Sequence, residues 1–465
     1  MKILFVSPPT ISAIRDIIGT TGPPLGLAYL AAVARDKGHE VKIVDALADN
    51  LTFDDVKKTI SLYSPDIVAI TSTTSMIPDA YNIAKIAKEV SKNIITMIGG
   101  PHATFVPAMV LQECNDMDFV IKGEGELVFS NLLDALAKGK KLEEVKGISY
   151  RHGGMIKDNM PEMLINNIDT LPMPALDLLP MDKYEVDGTQ FGTVMTSRGC
   201  PYNCIFCSSS LQFGKRWRGH SVDRVIEELK ILREKYKKKE IEFLDDTFTL
   251  NMNRALELTK RINEEGLDIS WSASARVNLF NDEIAASMKK AGAHTIYFGI
   301  ESASQETLNF IGKGITPELA MRAVEKATNA GLHSLGSFII GFPEETKDDV
   351  NKTLSFSKKI GVTFAQFTIA TPYPGTRLWD YVVKNGLLLT KNWRMYTTLS
   401  PVIKLKNFTS KEILKKLTYA YVSFYARPLF LLKDIFQNKG FIFKRLISYS
   451  KKIMSSNSLR ESFYG

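Results

Sequence analysis

The chain has 465 residues, 45% of them apolar and 24% charged, which is enough for two or three domains with cores of their own. Four cysteines in this length exclude a disulfide-stapled secreted scaffold and point to a reducing cytoplasm. The net charge of +8 is confined to one end: residues 402–465 carry 13 Lys and Arg against three acids, so the rest is slightly acidic and a nucleic-acid enzyme is disfavoured.

The opening apolar run, Ile3-Leu4-Phe5-Val6, is too short for a signal peptide and reads as a first buried strand. Two long uncharged stretches, 17–34 and 93–112, are broken by Gly22-Pro23-Pro24 and Gly99-Gly100-Pro101-His102, so neither predicts a membrane span. Strands are predicted at 2–6, 41–45, 66–71, 94–98 and 118–121, with amphipathic helices such as 25–37 and 78–90 between them. The strand runs lack period-two alternation, the pattern of parallel strands buried on both faces. The expectation for residues 1–136 is a doubly wound, Rossmann-like α/β domain whose ligand sits at the carboxyl ends of the strands. Those ends carry Ser72-Thr73-Thr74-Ser75, then Gly99-Gly100-Pro101-His102-Ala103-Thr104, then Lys122-Gly123-Glu124-Gly125-Glu126. Glycines there let backbone approach a ligand closely, although ordinary strand-to-helix turns read the same way. No Gly-x-Gly-x-x-Gly follows the first strand, so the dinucleotide fingerprint is missing.

Residues 137–188 read as a linker. A charged Lys138-Gly139-Lys140-Lys141 is followed by a hairpin around Gly153-Gly154 and by Pro172, Pro174 and Pro180, a spacing that favours extended backbone over a surface. From 189 to 390, strands are predicted at 192–197, 241–245, 269–273, 295–300, 335–340 and 364–369. Helices are predicted between them at 223–236, 252–266, 282–291, 317–330 and 347–360. Six such repeats predict a partial (β/α)6 barrel with its chemistry at the carboxyl ends of the strands. Residues 391–465 read as a helical region in which Tyr419, Tyr421, Phe424, Tyr425, Phe430, Phe436, Phe441 and Phe443 are interleaved with Lys and Arg. That pattern suits helices packed on the barrel with basic faces in water, or an anionic membrane surface.

Three of the four cysteines fall within eight positions, in Arg198-Gly199-Cys200-Pro201-Tyr202-Asn203-Cys204-Ile205-Phe206-Cys207, directly after the first barrel strand. Three thiolates can hold three irons of a 4Fe–4S cluster and leave the fourth iron open to a chelating ligand, whereas ferredoxin-type carriers use four cysteines. A structural zinc site also needs four ligands, and the nearest histidine, His220, lies outside the usual spacing. Cys114 is remote and reads as a small buried hydrophobe. Further candidates end the other barrel strands. Asp245-Asp246 can take an ammonium or cap a helix, and Arg276 can pair a carboxylate or form a surface salt bridge. Glu301-Ser302 ends the fourth strand, and Gly341-Phe342-Pro343-Glu344 permits close backbone approach to a ring or is a plain turn. Tyr373 reaches the barrel mouth or packs as a rim tyrosine.

With Pro23-Pro24-Leu25-Gly26-Leu27-Ala28-Tyr29-Leu30, Gly299-Ile300-Glu301-Ser302 and Pro374-Gly375-Thr376, these motifs make roughly the first 390 residues resemble radical S-adenosylmethionine (SAM) enzymes with an N-terminal cobalamin-binding domain. That group includes class B radical SAM methylases and the anaerobic Mg-protoporphyrin monomethyl ester cyclase. The resemblance implies a 4Fe–4S cluster on Cys200, Cys204 and Cys207, with SAM near Phe206, Asp245, Arg276, Glu301 and Gly341. It implies cobalamin at Ser72, Thr73, Gly99, Gly100, His102, Gly123, Glu124 and Gly125, and makes Tyr373 the catalytic candidate. None of the six histidines sits in Asp-x-His-x-x-Gly, so cobalamin without a protein histidine on cobalt is expected. Methylthiotransferases need a further N-terminal cysteine trio, which Cys114 alone cannot supply. The implied reaction is methylation of an unactivated carbon of a hydrophobic, lipid-like or other small-molecule substrate through a 5′-deoxyadenosyl radical. An external electron donor of ferredoxin or flavodoxin type would feed it. The alternatives are a radical cyclase or oxidoreductase without methyl transfer, and a cobalamin-binding sensor or redox module.

Overall fold

A computed structural model describes residues 1–10, 22–186 and 188–427. The apolar runs of the first third become β1 (Lys2–Ser7), β2 (Glu40–Asp45), β3 (Ile67–Thr71), β4 (Ile95–Gly99) and β5 (Phe119–Ile121), followed by β6 (Ile148–His152) and β7 (Met155–Asp158). They form one sheet in the order β2-β1-β3-β4-β5-β6-β7. The first five strands pair in parallel. Ile3, Leu4, Phe5 and Val6 are fully buried, as a strand covered by helices on both faces requires. Helices Leu25–Asp36, Phe53–Tyr63, Ile77–Val90 and Gly125–Lys138 provide that cover.

The predicted linker differs from its expectation. Its hairpin joins the first sheet, with β6 antiparallel to β5 and β7 antiparallel to β6. Burial explains this: Ile148 and Tyr150 are fully buried, and the Tyr150 ring stacks on Phe119 at 6.0 Å. The proline-spaced segment that follows is pinned between the two halves of the molecule. Arg224 donates to the carbonyls of Leu171 and Pro172 at 2.9 Å each. The buried Lys238 ammonium donates to the carbonyls of Met181 and Tyr184 and to Gln190 Oε1. The Tyr184 hydroxyl donates to Asp45 on β2 at 2.8 Å. Side chains far away in sequence therefore satisfy a backbone that prolines deprive of donors.

The second half holds β8 (Glu185–Val186), β9 (Thr189–Val194), β10 (Ser197–Arg198), β11 (Arg218–Gly219), β12 (Glu240–Phe243), β13 (Ser270–Ala275), β14 (Ala293–Glu301), β15 (His333–Ile340) and β16 (Phe364–Ile369). Its sheet runs β16-β15-β14-β13-β12-β9-β8, six parallel strands with an antiparallel edge, while β10 and β11 pair separately. Helices Val222–Lys230, Met252–Glu264, Asp282–Lys290, Pro317–Asn329 and Lys347–Lys359 alternate with these strands, giving the expected open half-barrel.

Helix Ser410–Tyr425, started by a Thr409–Glu412 capping box, closes the free edge of β16. The hydroxyls of Tyr421 and Tyr425 donate to the carbonyls of Phe367 and Ala365 at 2.9 and 2.8 Å and accept the amides of the same two residues. An edge strand otherwise offers its ladder to foreign chains. Phe424 is buried beside these half-buried tyrosines, so this part of the basic aromatic region packs on the barrel, while Tyr419 and Val422 stay exposed. Phe430, Phe436, Phe441 and Phe443 lie outside the described residues.

Candidate active site

The cysteine loop is built from both flanks. Gly199 takes φ +93°, where a Cβ would overlap the Arg216 carbonyl, so the turn into Cys200 needs a glycine. The Cys200 amide donates to the Gly214 carbonyl at 3.1 Å and the Ile205 amide to the Ile311 carbonyl at 3.0 Å. The Leu378 amide donates to the Ile205 carbonyl at 2.8 Å, and Arg377 donates to the Asn203 carbonyl. The three cysteines are half-buried free thiols. Burial raises the Cys200 and Cys207 thiols, and the charge of Asp246 adds to this. Among the described residues no three His, Cys, Asp or Glu side chains converge on a single-ion site. Thiols that take separate irons of a cluster need no such convergence. His220 is buried and bonds Asp169 through Nδ1 at 2.8 Å. Three soft thiols on one short loop, without a fourth, fit a cluster with one open iron.

A chain of contacts leads from this loop across the strand ends. Arg276 lies 3.5 Å over the Tyr202 ring, with Nη1 3.8 Å from Cys204 Sγ, and it donates to the Lys313 carbonyl. Lys313 Nζ pairs with Glu301 Oε1 at 2.6 Å, both side chains being buried. Glu301 sits at a β-bulge with φ +65°, a conformation most side chains avoid, which aims its carboxylate at Lys313. The Phe206 ring centroid is 6.0 Å from Lys313 Nζ and 6.1 Å from the Phe342 ring. Gly341, at φ +81°, donates its amide to Glu345 Oε2 at 2.6 Å. Burial pushes Glu345 up to about 8.

Two predicted residues are otherwise occupied. The buried Asp245 carboxylate accepts the Thr196 amide, the Thr196 hydroxyl and the Ser197 hydroxyl, each at 2.6 Å. It braces the turn that launches the cysteine loop, each of its oxygens already accepting from that turn. Its neighbour Asp246 differs, since its Oδ2 is buried without a hydrogen-bond partner. Burial raises Asp246, the Ser209 hydroxyl lowers it, and the Asp245 charge raises it again. Tyr373 donates its hydroxyl to the Tyr396 carbonyl at 3.2 Å, and burial pushes it up to about 12, so it packs as a rim tyrosine.

At the first sheet, the loops after β3, β4 and β5 form one ledge. Gly100 takes φ +105°, and a Cβ there would overlap the Ser72 carbonyl. Ser72 donates its amide to the Gly99 carbonyl at 3.2 Å and its hydroxyl to the Thr73 carbonyl at 2.8 Å. Gly123, at φ +72°, donates its amide to Thr104 Oγ1 at 3.1 Å. His102 bonds Thr74 Oγ1 through Nδ1 at 3.3 Å, and its buried Nε2 has no partner. Burial lowers His102 to about 4, so the ring is neutral. A ledge on which Gly99 and Gly123 leave open or ordinary space above the backbone, Gly100 packs tightly on Ser72, and one buried polar atom is orphaned fits the face of a large cofactor such as cobalamin.

Glu124 and Gly125 stand apart from that ledge. Glu124 accepts Arg218 Nη1 and the Ile165 amide at 2.8 Å each and Arg198 Nη1 at 3.3 Å. Glu126 holds Arg198 Nη2 at 2.5 Å. All four charged side chains are at most 7% exposed. A Cβ on Gly125 would meet Leu30 at 3.2 Å, so that glycine serves helix packing. The loop after β5 therefore ties the first sheet to Arg198, two residues before Cys200, and is not a cofactor cradle at Glu124. A second tie comes from the 3-10 turn Trp393–Met395: Arg394 clasps Asp79 with two bonds of 3.1 and 2.7 Å, and the Trp393 ring meets His102 edge-on at 4.8 Å. Sequence reasoning missed Lys313, Arg218 and Arg394 in these positions, whereas Asp246 was in view beside Asp245 as a partner for an ammonium or a helix cap. Arg198 was in view, immediately before Gly199-Cys200, but only the fold reveals its partners.

Residues 194–357 match the Radical SAM superfamily and residues 11–133 match the B12 binding domain. The chain is 61% identical over 447 residues to an uncharacterised methyltransferase of Pyrococcus horikoshii, covering 96% of this chain and 97% of that protein. It is 28% identical to the anaerobic magnesium-protoporphyrin IX monomethyl ester cyclase of Rubrivivax gelatinosus, covering 93% and 78%. Its fold matches the solved structure of the cobalamin-dependent SAM radical enzyme OxsB with aqua-cobalamin and SAM bound. That match has a TM-score of 0.77 and 20% identity, and it covers 96% of this chain and 71% of that one.

Proposed function

This chain belongs to the cobalamin-dependent radical SAM enzymes, and from that premise we propose that it methylates an unactivated carbon of a hydrophobic small molecule. The 61% identity to a protein named as a methyltransferase carries this reading over the cyclase alternative, whose namesake is 28% identical. When bound, the cluster with SAM supplies hydrogen-atom abstraction and cobalamin supplies a transferable methyl group. The chain's own part is positional. Cys200, Cys204 and Cys207 hold the cluster. The Arg276–Lys313–Glu301 chain fixes the cations and the carboxylate beside it, and the ledge at Ser72, Gly100 and Gly123 would hold cobalamin. Incubation with SAM, cobalamin, reductant and candidate lipids or tetrapyrroles tests the reading. Methylated product together with 5′-deoxyadenosine and S-adenosylhomocysteine is expected. 5′-Deoxyadenosine without S-adenosylhomocysteine would indicate a cyclase or oxidoreductase, and neither product would indicate a binding module.

Within this reading the orphaned Asp246 Oδ2 takes the SAM ammonium. A charge-assisted bond of about 1.5–3 kcal/mol predicts that Asp246→Asn weakens SAM binding on the order of tenfold or more, with iron content kept. Calorimetric titration of the reconstituted protein checks it, and unchanged affinity would remove Asp246 from the role. Gly100→Ala should cost about 1–3 kcal/mol through backbone strain and block cobalamin uptake, read by the visible spectrum and by thermal unfolding. Normal uptake would place cobalamin elsewhere.

Among the described residues no helix is long and apolar enough to cross a membrane. The exposed Tyr419 and Val422, with Lys411, Lys415 and Lys416 on the same helix and a basic aromatic sequence following, favour peripheral contact with anionic lipid as the route for a hydrophobic substrate. Because helix Ser410–Tyr425 seals β16, the informative truncation ends at Arg427. Full-length protein should sediment with anionic vesicles at low salt, and the truncated chain, which keeps Tyr419, Val422 and the three lysines, should sediment more weakly; full-length protein that stays in the supernatant would end the idea.

A further inference from the structure

The cysteine loop has an outward side as well as a side toward the strand ends. Pro201 and Asn203, between the cysteines, are exposed, as are Leu211, Lys215, Arg216 and Arg377 around them. The backbone that carries Lys215 and Arg216 touches the loop, and Arg377 touches it with its guanidinium. The Gly214 carbonyl accepts the Cys200 amide, a Cβ on Gly199 would overlap the Arg216 carbonyl, and Arg377 donates to the Asn203 carbonyl. Among the described residues none of the three cations forms an ion pair, although many exposed Lys and Arg elsewhere do, such as Lys57 with Glu89 and Lys230 with Glu265. The body that carries them is slightly acidic outside residues 402–465, so this is a local positive field and not part of a general one.

We propose that the outer face of the cysteine loop, framed by Lys215, Arg216 and Arg377, is the docking surface for an acidic one-electron carrier protein. The inference rests on the cluster reading of Cys200, Cys204 and Cys207. A cluster there must be reduced from outside, and the exposed Pro201 and Asn203 bring its loop to the surface. Unpaired cations around that point steer an acidic partner and orient it, raising the encounter rate more than the affinity. Small, polar, transient contacts of this kind are the rule for electron-transfer pairs. The step is a bare electron transfer: the carrier is oxidised by one electron, the cluster is reduced by one, and no bond or proton moves. Three cations without stacking rings are too few to track a nucleic-acid backbone.

The test is stopped-flow reduction of the reconstituted full-length protein by a reduced, acidic flavodoxin, compared with saturating dithionite. Lys215→Glu/Arg216→Glu should slow the flavodoxin reaction on the order of tenfold at low salt, and the difference should fade at high salt. Iron content and dithionite reduction should be unchanged. If the reversal also slows dithionite, the neutral pair Lys215→Gln/Arg216→Gln must still show a selective loss with flavodoxin. An unaltered flavodoxin rate, or no selective loss in either pair, overturns the proposal. Loss of anionic-vesicle binding with the flavodoxin rate intact overturns it in favour of a lipid surface. Wild-type protein that retains no iron would instead sink the cluster reading on which it stands.

Discussion

Alanine at Cys200, Cys204 or Cys207 will strip the reconstituted protein of iron and sulfide and abolish reductive cleavage of SAM, while alanine at Cys114 will change neither. The three loop thiols are half-buried, and Arg276 touches the middle one. Cys114 is 6% exposed, packs in the core of the first sheet, and has its thiol pushed up to about 11 by burial. A thiol so reluctant to ionise is a poor replacement ligand, and its place in that core keeps it from the loop. A cluster deprived of one of three thiolates has no spare nearby, so the expected effect is near-complete loss and not a graded one. Iron and sulfide analysis after anaerobic reconstitution, with 5′-deoxyadenosine as the second readout, decides it. Iron lost in the Cys114 variant, or kept in a loop variant, would refute the three-cysteine assignment.

The cysteine loop was legible because its chemistry is local: three ligands within eight residues, placed after a strand. The parallel strands were legible for a similar reason, since burial on both faces writes a continuous apolar run such as Ile3–Val6. What depended on distant partners was not legible. The hairpin β6–β7 looked like linker because nothing local says that Tyr150 will stack on Phe119. Asp245 and Asp246 are adjacent in sequence and equivalent as letters. Only the turn at Thr196-Ser197 decides that the first accepts from three donors and the second is left with an open oxygen. Glu124 looked like part of a glycine-rich cradle because the arginines that claim it lie 74 and 94 residues away.

Those arginines support the last prediction, that breaking the buried network at the seam will be among the costliest single changes in the molecule. Arg198, Arg218, Glu124 and Glu126 balance two positive against two negative charges, all nearly inaccessible to water. Burial alone would lower the Arg198 pKa, but the charges of Glu126 and Glu124 outweigh it and raise the value, so the guanidinium stays charged. Removing one member leaves an uncompensated buried charge, at a cost of about 3–5 kcal/mol. A water-screened pair such as Lys230–Glu265 should cost far less. Glu124→Gln should therefore lower the denaturant midpoint of the transition containing the seam far more than Glu265→Gln does. Because Arg198 stands two residues before Cys200, iron should also be lost at a lower temperature. Charge balance makes the prediction specific: Glu124→Gln combined with Arg218→Met leaves the neutral Arg198–Glu126 pair, so the double variant should recover part of the loss of Glu124→Gln alone. If the double variant is worse by the full sum of the single effects, packing and not charge compensation holds the seam, and the network is an ordinary set of contacts.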